Sequence, residues 1–346
     1  MVKLGALISP KHSPKKLIDI AEHLEKLSIN SFWYPDEKFF RDSYIGLTLV
    51  CTHTKSIRCG ICVTDPYSRH PIMTAASIAS LAEIAPGRVW LGIGAGGRGF
   101  SAMGIDREKP VVAIREAVAI IRKLLAGECV EYNGEVITLI QRSLDFSPPP
   151  EIKILIATGY GKLIKRLAGE IADAVMLANV TSEAGIMAGV KQIKIGAQKA
   201  GRRLKDFELI SRIDVSVNEN EKLAKAAIAP KILSTLRASY PKLTYLDHMD
   251  NVELSTELIN VLEQRDYISR SYYANPKHSA HLISDPLYDH FAIAGTPDYV
   301  KNRLQELVSL ELFTEIAINP IASGDQNILE TIAMVKCIFD TIARSN

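Results

Sequence analysis

The residues best suited to chemistry in this chain stand in short clusters, each at the end of an apolar run. They are Tyr34-Pro35-Asp36, Cys62-Val63-Thr64-Asp65-Pro66, Gly94-Ala95-Gly96-Gly97 and Ala157-Thr158-Gly159-Tyr160-Gly161-Lys162. Small residues at such points let backbone approach a ligand closely. Asp36 follows aromatic residues and offers a carboxylate to a polar ring edge; the competing reading is a cap on the next turn. Gly159, Gly161 and Lys162 precede a helical pattern whose apolar face is Leu163, Ile164, Leu167, Ala168 and Ile171. Free N–H groups at a helix start, with a lysine charge beside them, suit a phosphate. The plain alternative is a tight turn with Lys162 in solvent.

Other patterns imply less than their spacing suggests. Gly92, Gly94 and Gly97 match G-x-G-x-x-G, but a dinucleotide fold needs a helix to open at once, and Gly104 and Pro110 delay the next one to about residue 110. The glycines therefore read as the lining of an opening. Cys59 and Cys62 form a C-x-x-C inside a β-branched run, where residues three apart point to opposite faces, so their sulfurs should diverge. The eight histidines are scattered without metal-ligand spacing, and no metal is expected. In Ser68-Arg69-His70-Pro71 the proline reads as the first residue of a helix, with Arg69 and His70 fixing the loop. No Ser-His-Asp or paired-carboxylate arrangement stands out.

The elements that must position these clusters alternate along the chain. Strand patterns fall at Lys3 to Ser9, Ser31 to Tyr34, Ile57 to Thr64, Val89 to Gly94, Lys153 to Ala157, Ala174 to Ala178, Glu208 to Val215 and Glu315 to Ile318. Several are apolar on both faces, as buried parallel strands are. Helical patterns lie between them, from Leu17, Ile20, Ala21, Leu24 and Leu27 to Ile328, Ile332, Val335, Phe339 and Ile342. Eight βα units predict an α/β fold, a (β/α)8 TIM barrel with insertions, over residues 1–346 as a single domain. A doubly wound open sheet is the rival. Sites in such barrels lie where strands end and βα loops begin, which is where all four clusters stand. Three connections are long: Ala95 to Lys109 and Gly127 to Pro150, read as loops or a small hairpin, and an insertion at about 238–291. The last holds a helical pattern at Val252 to Leu262 and a Tyr-, His- and Arg-rich run that is either a lid or a solvated insertion.

Composition narrows the function classes. With 41 Lys and Arg against 39 Asp and Glu, the net charge of +2 gives no reason to expect nucleic acid as the partner. No apolar run approaches the roughly 20 residues of a membrane span, and the N-terminus reads as a first strand rather than a signal peptide. Five cysteines fit reduced thiols and a cytoplasmic location.

The run GICVTDPYSRHPIMTAASIASLAEIAPGRVWLGIGAGG resembles the bacterial-luciferase-like superfamily, and within it the coenzyme F420-dependent methylenetetrahydromethanopterin reductases. The likeness continues through YPDEKFFRDSY, AIREAVAIIRKLLAGECVEYNGE, LAGEIADAVMLAN and FAIAGTPDYVKNRLQEL, and weakens over residues 215–290. It implies a deazaflavin ring resting on a bulge at the end of the third strand, with a non-proline cis peptide at Cys62-Val63. Thr64 and Asp36 would contact the ring's polar edge, and Gly159, Tyr160, Gly161 and Lys162 the phosphate. Gly94, Gly96 and Gly97 would line the mouth beside them, and Asp36, Thr64 and Asp65 would be the polar groups near the reacting atom. The chain departs from the family at Ala6, read as the place of a first-strand glutamate, at Asp65, at Lys162 and at Gly97. The reaction implied is hydride transfer between coenzyme F420 and a small organic substrate. An FMN-dependent monooxygenase and a non-catalytic flavin-binding relative are the alternatives, and the family implies a homodimer or higher homo-oligomer.

Overall fold

The computed structural model describes residues 1–345 apart from 97–98, 160, 244–245, 247–248, 250–251 and 265–275. Its strands are β1 (Lys3–Leu7), β2 (Ser31–Tyr34), β3 (Arg58–Thr64), β4 (Val89–Ile93), β5 (Val130–Asn133), β6 (Thr138–Arg142), β7 (Lys153–Thr158), β8 (Ala174–Ala178), β9 (Glu208–Val217), β10 (Ala292–Gly295) and β11 (Glu315–Pro320). The parallel order β11-β1-β2-β3-β4-β7-β8 closes on itself through β9, which pairs with both β8 and β11. All eight barrel strands coincide with the predicted runs. An open doubly wound sheet is thereby excluded.

The helices are α1 (Pro14–Lys26), α2 (Ser43–His53), α3 (Pro71–Ile84), α4 (Pro110–Leu125), α5 (Lys162–Ile171), α6 (Glu183–Lys199), α7 (Glu221–Ser239), α8 (Thr256–Glu263), α9 (Asp285–Phe291), α10 (Pro297–Ser309) and α11 (Ile328–Ser345). Their starts follow from side chains that satisfy first-turn N–H groups: Ser13, Asp42, Ser182 and Thr296 cap α1, α2, α6 and α10, and prolines open α1, α3, α4 and α10. The ring of helices buries Leu17, Ile20, Leu24, Ile332 and Val335 against the outer strand faces. Leu163, assigned to the apolar face of α5, is instead 63% exposed. The row Ile164, Leu167, Ala168 and Ile171 suffices for a ten-residue helix, and Leu163 lies at its edge.

Two features escape the βα reading. β5 and β6 form an antiparallel hairpin within residues 127–150, as one of the two options for that stretch had it. β10 was not foreseen; it pairs with Asp214–Val217 on β9, beyond the point where β8 leaves that edge. In the 238–291 stretch, α8 overlaps the predicted helical pattern from Thr256 on and ends one residue beyond it, and residues 265–275 lie outside the described ones. Among the described residues of the stretch, Leu258, Val261, Leu287, Tyr288 and Phe291 join Ile228, Ile232 and Leu236 of α7 in a second apolar cluster.

The barrel interior is layered. At its floor Glu315, fully buried, accepts hydrogen bonds from Ser31 Oγ and Trp33 Nε1, each at 2.7 Å, and faces Arg58 at 3.3 Å. Arg58 in turn stacks 3.8 Å over the Trp90 ring. A buried carboxylate is tolerable only with such partners. Above it lies an apolar layer of Leu7, Trp33, Cys62, Leu155, Met176, Ile210 and Ala317. The polar groups of the mouth rest on that layer.

Candidate active site at the barrel mouth

The carboxyl ends of β2 and β3 meet in a hydrogen-bonded pair. Thr64 Oγ1 donates to Asp36 Oδ2 at 2.8 Å. Asp36 does not cap the following helix; Asp42 does, accepting from Tyr44 N and Ile45 N. Asp36 is therefore free to face the mouth. Tyr44 closes the back of this pair: its ring is buried beneath Arg69, 4.4 Å away. Burial first, and then the negative charge of Asp36, push that phenol above its ordinary range.

β3 bulges where the ring was expected. Its register against β4 shifts between Ile61 and Thr64, and the Cys62-Val63 peptide is cis. Opposite the bulge, a Cβ on Gly94 would lie 2.9 Å from Val63 Cγ2, so only glycine leaves this space open. Gly94 N–H also donates to Thr64 O at 3.0 Å, locking bulge to strand end. Gly96 has a different neighbourhood: at φ 73° it packs against the Phe100 ring and Asp65. It shapes the loop from below. Gly97 lies outside the described residues.

Asp65 is also turned away from the mouth. It is 1% exposed and accepts from Lys38 Nζ at 2.6 Å, Tyr67 N at 2.9 Å, and Ser68 N and Oγ, each at 2.8 Å. Burial opposes its charge, but the Lys38 ammonium and the Ser68 hydrogen bonds outweigh it and hold the carboxyl below its usual range. Four bonds use the acceptor capacity of a carboxylate, so Asp65 organises the β3–α3 loop. Arg69 and His70 are structural as expected: Arg69 pairs with Asp42 at 3.1 Å, and His70 caps α3 ahead of Pro71.

Gly159 follows β7, and Gly161, at φ 97°, is the residue before α5; a Cβ there would find no atom nearer than Ile164 Cγ2 at 3.8 Å. Among the described residues no side chain caps the first turn of α5, which leaves its N–H groups to another acceptor. Lys162 is exposed at that turn. Tyr160 lies outside the described residues.

Cys59 and Cys62 diverge: Cys59 is in the outer core and Cys62 in the barrel interior, 3.3 Å from Met176 Sδ. Ala6 needs a correction. Its side chain sits in the outer core with Leu4 and Ile8, so a first-strand residue acting in the mouth would have to stand at Leu7, the inward position. Alternation along a strand decides this.

A second polar group was missed. β3 and β9 stand four strands apart either way round the ring, and the inward residues of β9 above Ile210 are Arg212 and Asp214. Arg212 Nη2 meets Asp214 Oδ1 at 2.7 Å; its Nη1 donates to Asn179 Oδ1; Asn319 Nδ2 donates to Asp214 Oδ1 at 2.5 Å. The readable signal was the alternation Arg212, Asp214, Ser216 against Ile213, Val215, Val217, a polar face on a strand assigned to the barrel.

The sequence profile of the luciferase-like monooxygenase family matches residues 2–312. The chain belongs to that family. Among its relatives, a 5,10-methylenetetrahydromethanopterin reductase of Methanolobus tindarius is 30% identical over 95% of this chain and 97% of its own length. An F420-dependent glucose-6-phosphate dehydrogenase of Mycolicibacterium fortuitum is 25% identical over 64% of this chain and 71% of its own. The solved coenzyme F420-dependent tetrahydromethanopterin reductase of Methanopyrus kandleri superposes with a TM-score of 0.81 at 25% identity, over 97% of both chains. In this luciferase-like barrel, therefore, the bulge on β3 and the Asp36–Thr64 pair are features of a family member's mouth. Among the described residues no helix is long and apolar enough to cross a membrane.

Proposed function

We propose that this luciferase-like chain is an oxidoreductase that uses coenzyme F420 to move a hydride to or from a small organic substrate bound over the cofactor ring. The observation that carries the reading is the site opened by Gly94 against the Val63 bulge and bordered by the Asp36–Thr64 pair. The residues fit such a cofactor: a flat ring needs the space that a Cβ on Gly94 would fill, and a phosphate needs the uncapped first turn of α5. The relatives named for F420 support it. When bound, coenzyme F420 supplies a two-electron hydride donor or acceptor.

The chain's own part is positioning. Thr64, its hydroxyl hydrogen committed to Asp36, presents a fixed oxygen to the ring's polar edge. Gly159, Gly161 and Lys162 receive the phosphate through N–H groups and one cation. The layer of Leu7, Trp33, Cys62 and Met176 keeps water from the underside of the mouth. The substrate is a small molecule, and a methylene-tetrahydropterin is the first to test. The same reading makes the chain a single-domain cytoplasmic enzyme that works as a homodimer or higher homo-oligomer, with no nucleic acid or membrane partner.

The test is titration of the purified protein with coenzyme F420 and with FMN, each oxidised and reduced, followed by absorbance and fluorescence. Saturable binding of F420 with little or none of FMN is expected. Preference for FMN would point to a monooxygenase instead, and binding of neither would remove the reading.

A further inference from the structure

Helices around a barrel ordinarily turn an apolar stripe to the strands and charged side chains to solvent. Two neighbours in this ring do not. Of Asp, Glu, Lys and Arg, α2 holds none and α3 only Glu83, whereas α1, α4, α5, α6, α7, α10 and α11 each hold four or more. The outward positions of α2 and α3 are instead apolar. Ile45 is 68% and Met73 56% exposed; Leu49 and Ala76, each one turn further along, are half-buried, and Ile84 is exposed at the end of α3. The inner faces of both helices are already in use, through Leu47 and Val50 on one and Ala75 and Ile78 on the other.

The hydroxyl groups on this face are bonded within it. Thr48 Oγ1 donates to Tyr44 O at 2.8 Å, Thr52 Oγ1 to Thr48 O at 2.9 Å and Ser80 Oγ to Ala76 O at 2.9 Å. A hydroxyl bonded back to its own helix can be covered with little desolvation cost. The area is sufficient as well. Helices of 11 and 14 residues packed side by side present a face of about 400 Å² in projection. Two exposed side chains extend it on the mouth side. Phe40 stands two residues ahead of the Asp42 cap of α2, and Ile140 two residues past Thr138, whose carbonyl oxygen lies 3.1 Å from His70 Nε2 at the start of α3. With the relief of its side chains the patch approaches the ~800 Å² per partner of a stable interface, more than a lone soluble subunit ordinarily leaves bare.

We propose that a second copy of this chain docks on the outward face of α2 and α3, about a two-fold axis that lays the face on itself. This rests on the homo-oligomer reading and adds the surface to it. A face without charge gives a partner of opposite charge nothing to match, and a membrane surface would call for Lys or Arg beside the apolar groups. Identical apolar faces need neither, and interfaces between identical subunits are the more apolar class. The face also backs on the mouth: Arg69 lies 4.4 Å over Tyr44, at the starts of the two helices and behind the Asp36–Thr64 pair. The docked copy therefore covers the helix starts on which that pair is built.

The experiment is sedimentation velocity of the full chain over a wide range of concentration, with a far-ultraviolet circular dichroism spectrum of each variant. Parent, Ile45→Glu, Met73→Glu and Met73→Leu are compared, with Ile195→Glu on α6 as the control on another exposed apolar position. The parent should sediment as a dimer or a higher even oligomer. Ile45→Glu and Met73→Glu should each raise the dissociation constant at least about a hundredfold, because a two-fold axis buries every introduced charge twice. Met73→Leu and Ile195→Glu should stay within about threefold of the parent. The spectra should be those of the parent, so that loss of the dimer is dissociation and not unfolding. Where a Glu variant loses the native spectrum, Ser80→Arg, exposed in the single chain, is read in its place. A parent that is monomeric throughout overturns the face and the homo-oligomer reading together. A parent dimer that the folded α2 and α3 variants keep overturns the face alone, as does a dimer broken by Ile195→Glu and not by them. Coenzyme F420 binding is read separately by fluorescence: a dimer broken by these changes in a protein that binds no F420 leaves the interface standing and removes the cofactor reading alone.

Discussion

Thr64 and Asp36 come from different strands, 28 positions apart, and their side chains meet at 2.8 Å where β2 and β3 end. The contact joins a carboxylate of the β2 loop to the residue that follows the bulge. It makes the ring-edge contact a coupled pair.

Removing either partner should therefore have nearly the same effect as removing both. Asp36→Ala and Thr64→Val are each expected to weaken coenzyme F420 binding by about tenfold, the worth of one hydrogen bond in an enclosed site. The double variant should be scarcely weaker than either. Fluorescence titration of the three variants checks this, and fully additive losses would mean that the two act separately.

The glycines test where the ring and the phosphate sit. Gly94→Val would press a side chain onto Val63, which a Cβ alone would already approach to 2.9 Å. Gly161→Val would place a β-branched residue at φ 97°, a strain of about 1–3 kcal/mol. Both should lose F420 affinity, and Gly161→Val should also melt lower. If both fold and bind cofactor as the parent does, the site has been put in the wrong place.

Asp65 should matter for stability rather than for turnover. Breaking its 2.6 Å pair with Lys38 by Asp65→Ala is expected to cost about 3–5 kcal/mol. The sign of the pH effect follows from a carboxyl pKa held low in the fold: its stabilisation is complete above the unfolded value near 4 and is lost as pH falls through the lower folded value. Melting temperature measured from pH 6 down to pH 2 should thus fall more steeply for the parent than for Asp65→Ala. Parallel curves would deny Asp65 this role.

Thiol chemistry gives an independent check on the barrel interior. Cys51, Cys59 and Cys62 are buried, and burial pushes the Cys62 thiol up to about 12, with Arg212 opposing. Cys129 and Cys337 are exposed. Only thiolates react readily, so an aromatic disulfide reagent at pH 8 should label two thiols quickly and the other three only on unfolding. Fast labelling of Cys62, located by peptide mapping, would show the mouth to be more open than described.

What could be read in advance was local. A strand's alternation and a helix's three-to-four spacing are properties of neighbouring residues, so the eight barrel strands, the start of α3 at Pro71 and the divergence of Cys59 and Cys62 were all legible. Asp36 and Thr64 were legible as candidates because they stand at strand ends. Their contact was not, nor was the use of Asp65 by Lys38, because both depend on which loops close over one another. Ala6 shows the same limit: choosing between it and Leu7 requires knowing which face of β1 looks inward.

The sequence by itself determined the repeating βα units, the glycine-lined strand ends and the family resemblance, since each lies in spacing along the chain. Only the tertiary structure decided that β9 stands opposite β3 and that Arg212 and Asp214 share an inner wall. Ring closure brings together residues more than a hundred positions apart, such as Asp214 and Asn319, and the balance of buried charge there depends on that arrangement in space.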